Sequence, residues 1–240
     1  MNYLAHHVVA RRAEPTGSPA FFVGNLLPDL LAVSGDGRRL RAAHLAGQTG
    51  DVARGARFHL ATDRLFHGSP AFAEASTAAK SALLSAAFSA PLHRVFFLAH
   101  VMVEIALDAY VLRNGPAPAD DLYAQVAACD RSKVCAEAAR FLGREPTTLS
   151  GLEQTLLWFG THRYLYSYAT PEGQAEALYR IGSRVGLSSF EMADDRARLA
   201  RVFETFTPGM QRWETDLLGA DSAVGVHGTI AAGMPRADAA

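Results

Sequence analysis

Apolar residues recur at intervals of three and four through most of the 240-residue chain, the period of helices that lay one face on a core. The segment 91–113 (PLHRVFFLAHVMVEIALDAYVLR) carries them on almost every face. A proline at its start and Asn114-Gly115-Pro116 after its end predict one long helix, buried on all sides and central to the fold. Behind it, 120–142, 152–168, 172–185 and 190–218 read as amphipathic helices, the first stopping at Gly143. Ahead of it, shorter helices are expected over 2–12, 20–33, 51–66 and 70–88, separated by Gly- and Pro-bearing loops. No run alternates as a half-buried strand does, and no hairpin turn or internal repeat is visible. The pattern predicts an all-α fold, a single-domain multi-helix bundle around one central buried helix, spanning 1–220. The Ala- and Gly-rich stretch 221–240 is expected to fray, and Arg38, Arg39 and Arg41 to form a solvated loop surface.

Composition sets further bounds. With 49% hydrophobic and 20% charged residues the chain can close a sizeable core, which excludes the disordered, collagen-like and disulfide-scaffold classes. Lys+Arg 23 against Asp+Glu 24 leaves a formal charge of −1, so the basic excess that marks nucleic-acid binding is missing. Cys129 and Cys135 are six apart, which on one helix puts them on different faces; a reduced compartment is the simpler reading. The opening MNYLAHHVVARR holds too short an apolar run for a signal peptide. No apolar run reaches about 18 residues without a charge or a histidine. The expectation is a cytoplasmic protein with no transmembrane segment.

Histidine supplies the candidate chemistry. Eight of the nine histidines lie in the first 162 residues. His59 and Asp63 (HLATD) are four apart, so on a helix they share a face and can point at one ion. His100 and Glu104 (HVMVE) repeat the spacing inside the apolar 91–113 segment, and Asp108 continues the stripe by a turn. Such a stripe is costly unless its charges are compensated, and a divalent cation accommodates neutral imidazole and carboxylate together. The two pairs are therefore expected to converge on one cavity; satisfied core histidines are the plainer reading of each pair alone. Asp29, directly after Pro28 in GNLLPD, adds a carboxylate, or else caps the start of a helix. His6 and His7 fall on a short helix, and spacing does not separate which of them faces inward.

Several chemistries are missing from the sequence. It has no Glu-x-x-His pair of the di-iron kind, no H-E-x-x-H, no Walker loop, no G-x-S-x-G elbow and no His-Asp dipeptide. Read in chain order, His6, Asp29 (as Pro-Asp), His44, His59-x-x-x-Asp63, His67 and His100-x-x-x-Glu104 resemble the ligand series of the zinc-dependent phospholipase C and single-strand nuclease superfamily. Those are all-α enzymes whose clustered zinc ions hydrolyse phosphodiesters, and the resemblance implies a metal-ligand role for each of these residues. The chain also resembles the acyl-carrier-protein phosphodiesterases, helical and metal-dependent. MNYLAH, GNLLPD, Thr62-Asp63 followed by His67, and the helix around HVMVE are similar to that family's landmarks, in order. It departs from the zinc phospholipases in opening at Met1 without a cleavable leader, where they use a processed N-terminal residue as a ligand. It departs from the carrier-protein enzymes at His59 and His100, where acidic residues are expected, and at 54–58 (RGARF), which replaces a His-Arg segment. Added nitrogen ligands suit zinc better than manganese or magnesium.

Both resemblances imply phosphoester hydrolysis by metal-activated water. Divalent ions would be held by the series above, zinc first with manganese or magnesium as the other candidates, and Asp29 would bridge ions or orient the water as its base. The substrate classes implied are a phospholipid head group, a nucleotide, or phosphopantetheine on a carrier protein. Asp108 and His93 are candidates for orienting ligands, His93 lying seven residues before His100 on a similar face; His162-Arg163 could face a phosphate. The competing expectation is a non-catalytic helical protein with a structural metal or a buried histidine cluster. An open, water-bearing ligand position would separate the two. His227 gets no role.

Overall fold

The structure, a computed structural model, describes residues 1–36, 39–145 and 149–219. The stretch 221–240 with His227, and also Arg38, lie outside the described residues. Within them the chain is all-α, with no strand: α1 (Tyr3–Ala13), α2 (Pro19–Val33), α3 (Asp51–His67), α4 (Pro70–Ser85), α5 (Val95–Arg113), α6 (Ala117–Ala128), α7 (Arg131–Phe141), α8 (Ser150–His162), α9 (Pro171–Arg184), α10 (Ala193–Phe206) and α11 (Glu214–Leu218). Short 3-10 turns occupy Ala42–Leu45, Tyr164–Ala169 and Thr207–Arg212.

Helix starts have local causes. Ser18, Ser69 and Thr170 stand directly before Pro19, Pro70 and Pro171. Each hydroxyl accepts the amide hydrogen bond of the third residue on, Phe21, Phe72 and Gly173, at 3.2, 3.1 and 3.1 Å. The amide that proline lacks is one a first turn leaves unbonded in any case.

Where expectation and structure differ, a backbone rule is responsible. The predicted helix 120–142 is two helices, because the Asp130 carboxylate accepts the Lys133 amide at 3.2 Å and starts α7. Cys129 therefore lies in the link after α6 and Cys135 on α7, and both thiols are free. The predicted helix 152–168 ends at His162, where Arg163 turns left-handed (φ 48°), and finishes as a 3-10 turn. Pro208, with no amide to give, interrupts 190–218 between α10 and α11. α5 starts at Val95 rather than Pro91, because Arg94 is left-handed (φ 50°).

The described residues form two compact units. In the first, 1–5, 67–116 and 164–217, α5 packs on α4, on α9 and on the two later 3-10 turns, and α9 packs on α10. Leu98, Met102, Ile105 and Leu107 of α5 are fully buried, so the segment predicted to be a core helix is one. Among the described residues α5 is also the one helix long and apolar enough to cross a membrane, and most of that stretch is buried. In the second unit, 6–66, 117–163 and, among the described residues, 218–219, α2 packs on α6, α7 and α8. α2 and α3 meet at two glycines. A Cβ on Gly24 would lie 2.4 Å from the Val52 carbonyl oxygen, and one on Gly55 would lie 2.0 Å from that of Phe21. Only a residue without a side chain fits at either point.

Candidate metal centre

Each predicted pair brings in a third histidine of its own. His6, His59 and Asp63 offer ligand atoms that all lie within 4.8 Å of one another, and so do His67, His100 and Glu104. Among the described residues these are the groups of three or more with metal-binding geometry.

The first group belongs to the second unit. His6 of α1 is fully buried and stacks on His59, ring centroids 3.8 Å apart and planes at 21°. Its Nε2 lies 3.6 Å from Asp63 and 4.0 Å from Asp29, and His59 Nε2 lies 3.6 Å from Asp29. Burial first, and then the neighbouring His59 ring, lower the pKa of His6 to about 4, so the imidazole is neutral, the form that binds metals. Among the described residues neither ring nitrogen of His6 has a hydrogen-bond partner. An orphaned buried polar atom costs about 1–3 kcal/mol, which a ligand bond would offset. Separations of 3.6–4.0 Å are too long for hydrogen bonds, yet suit donors that each reach one ion at ~2.0–2.2 Å.

His59 is held for this role. Its Nδ1 lies 2.7 Å from the Asn25 carbonyl oxygen. A carbonyl only accepts, so Nδ1 carries the proton and Nε2 presents its lone pair on the side of Asp29. The same Asn25 donates its side-chain amide to the His6 carbonyl at 2.9 Å. The close crossing at Gly24 and Gly55 brings the Asn25 backbone within reach of His59. Asp29 is not a cap: it lies inside α2, after the in-helix Pro28, with a half-exposed side chain beside both imidazoles.

The second group belongs to the first unit. His67 and His100 stack at 4.6 Å and 18°, and Phe72 meets both rings edge-on. Their Nε2 atoms lie 3.0 and 3.2 Å from the same Glu104 oxygen, to which the Met1 ammonium also donates at 3.1 Å. Burial opposes ionisation of Glu104, but the ammonium and the two imidazoles outweigh it and hold the carboxyl well below the usual range. The Met1 ammonium and the two imidazoles thus all meet one carboxylate oxygen.

The remaining candidates have other partners. Asp108, fully buried, accepts the Leu4 and Ala5 amides at 3.1 and 2.8 Å. It caps the first turn of α1. Burial pushes its carboxyl up to about 7, against the two amide bonds. His7, beside His6, turns to Asp121 at 2.7 Å. His44 accepts the Arg41 amide at 3.1 Å within its own 3-10 turn, and neither group contains it. His93 is exposed in the loop before α5, so the helix face it was expected to share with His100 does not exist. The exposed His162 donates to the Trp158 carbonyl at 3.1 Å and stacks on that indole, while Arg163 lies over the Tyr123 ring. Of the expected arginine surface, Arg39 and Arg41 are exposed. Sequence reasoning missed Asn25, for which the adjacent Gly24 was the available signal. It also missed Asp121, which reads as part of a solvated Asp120-Asp121 face.

Fold and site together define an all-α protein with two histidine–carboxylate groups of metal-binding type. The chain belongs to the acyl carrier protein phosphodiesterase family, whose model matches residues 1–210. It is this family, and not the zinc phospholipase C and single-strand nuclease superfamily, that the match shows. No curated protein and no solved structure matches the chain.

Proposed function

We propose that this protein is a zinc-dependent phosphodiesterase that removes the phosphopantetheine arm from a carrier protein, with the metal held by His6, His59 and Asp63. One observation carries the metal assignment: both ring nitrogens of the buried His6 lack hydrogen-bond partners among the described residues, amid a second imidazole and two carboxylates. Membership of the family supports the substrate class. Two imidazoles among the donors favour zinc over magnesium.

A divalent cation bound there supplies charge stabilisation for the phosphate oxygens and lowers the pKa of nearby water. Asp29, half-exposed beside both imidazoles, orients the attacking water and accepts its proton as the new P–O bond forms. The same proton passes to the leaving oxygen as the bond to the carrier breaks. Asn25 keeps His59 in the tautomer that binds. For the His67–His100–Glu104 group the geometry favours a second reading, a structural polar cluster, because its carboxylate is already bonded to both rings. We place the reaction in the cytoplasm, in keeping with two free thiols.

The test is metal analysis of purified protein, followed by incubation with a bis-aryl phosphodiester and with a phosphopantetheine-bearing carrier protein tracked by intact mass. The expected result is bound zinc and loss of the arm's mass, stopped by chelator and restored by zinc. A protein that binds no added zinc overturns the metal assignment. An unchanged carrier alongside cleavage of a phospholipid or nucleotide diester overturns the substrate.

A further inference from the structure

His6 and His7 are adjacent, chemically identical, and inaccessible, with side-chain exposures of 0% and 2%. On a helix they point about 100° apart, so the rotation of α1 decides which imidazole joins His59 and Asp63. One carboxylate outside the metal group grips that helix. Asp121 of α6 lies 2.7 Å from His7 Nε2 and takes Arg11 Nε and Nη2 at 2.8 Å each, one on either oxygen. Gln125, one turn along α6, donates to it at 3.0 Å. Arg11, one turn after His7, lies 4.0 Å over the Phe22 ring of α2, which His7 meets edge-on. From the other side, Asn25 holds the His6 carbonyl at 2.9 Å.

We propose that Asp121 is a positioning residue for the metal centre: by clamping His7 and Arg11 it fixes the rotation of α1 that presents His6 to His59 and Asp63. The inference rests on the metal-centre reading above. The hydrogen bonds of Asp121 to this region run to His7 and Arg11 of α1, so its removal is expected to act on affinity through His6.

The experiment measures zinc affinity by chelator competition, with melting temperature read on the same preparations of full chain. The proteins are wild type, Asp121→Ala, the milder Asp121→Asn, His6→Ala, the His6→Ala/Asp121→Ala double variant, and Val126→Ala as a core-cavity control in α6. Asp121→Ala is expected to weaken zinc binding by about 10–100-fold, the usual effect of losing a partner that orients a ligand. Asp121→Asn, which keeps an acceptor for Arg11, should fall between it and wild type and keeps the test open should the alanine variant not fold. Val126→Ala should lower the melting temperature without changing affinity. In the His6→Ala background, Asp121→Ala should have no further effect on affinity. The proposal is overturned if both Asp121 variants bind zinc as wild type does. It is equally overturned if Asp121→Ala weakens binding by the same factor with and without His6, or if Val126→Ala weakens it as much. A wild type that binds no zinc defeats the metal-centre reading itself, and this inference with it; wild-type binding with unaffected Asp121 variants defeats only the inference.

Discussion

A methyl group at Gly55 offers the most direct test of how the fold builds the site. On the observed backbone it would meet the Phe21 carbonyl oxygen at 2.0 Å and the Asn25 nitrogen at 2.7 Å. A carbon and a carbonyl oxygen come into contact at ~3.3 Å, so Gly55→Ala must drive α2 and α3 apart by about 1 Å. Alanine gains up to ~1 kcal/mol of helix propensity. Against this stand about 1–3 kcal/mol of overpacking and about 1 kcal/mol for a weakened His59–Asn25 hydrogen bond. The expected net loss is about 1–3 kcal/mol, or roughly 2–10 °C in melting temperature for a chain of this size. Zinc affinity should drop by about tenfold or more as His59 loses its orientation. Calorimetry with and without zinc, plus chelator competition, reads both effects. Gly182→Ala is the control: it lies inside α9, where the nearest atoms to its Cβ are 3.8 and 3.9 Å away. It should stabilise the protein by about 0.5–1 kcal/mol. A Gly55→Ala protein with native stability and affinity, or a Gly182→Ala protein equally destabilised, would refute the reasoning.

Asp29→Asn should abolish most diester cleavage while leaving melting temperature and zinc content near wild type, since the amide keeps the shape but cannot accept the water's proton; unchanged turnover would remove Asp29 from the mechanism. Asp108→Ala should destabilise by about 2–4 kcal/mol, because two buried amides of α1 lose their acceptor, as denaturant titration would read. Asp108 also makes stability depend on pH. Its carboxyl is raised from 3.8 to about 7, so the stability it contributes is full below about pH 4 and is lost as pH rises through 7. Asp108→Asn should therefore gain relative to wild type as pH rises from about 4 to about 7, and melting curves across this range that run parallel for the two proteins would count against it. His7 works the other way. Burial lowers its pKa, so its contribution is present above about pH 6.5 and is lost on acidification; His7→Gln should flatten the acid limb of the stability profile.

What could be read without a structure was local. Helical periodicity located every long helix, the apolar faces of 95–113 marked a core element, and the four-residue spacings of His59–Asp63 and His100–Glu104 put donors on common faces. These are properties of one helix at a time, set by its 3.6-residue turn. The misplaced boundaries were local too: the Asp130 cap, the Pro208 break and the left-handed Arg94 and Arg163 carry weak signals that a strong period overrides. The assembly of each group was not local. Which histidine joins His59 and Asp63 depends on how α1 is rotated, and that rotation is held by Asp121 on α6 and Asn25 on α2. The reach from Asn25 to His59 depends on two glycines on separate helices meeting backbone to backbone. Asp108, which spacing placed on the stripe of His100 and Glu104 as a candidate for orienting a ligand, instead accepts two amides of the first turn of α1. Spacing along a helix determines which donors share a face; only the crossing and rotation of separate helices decides which faces meet.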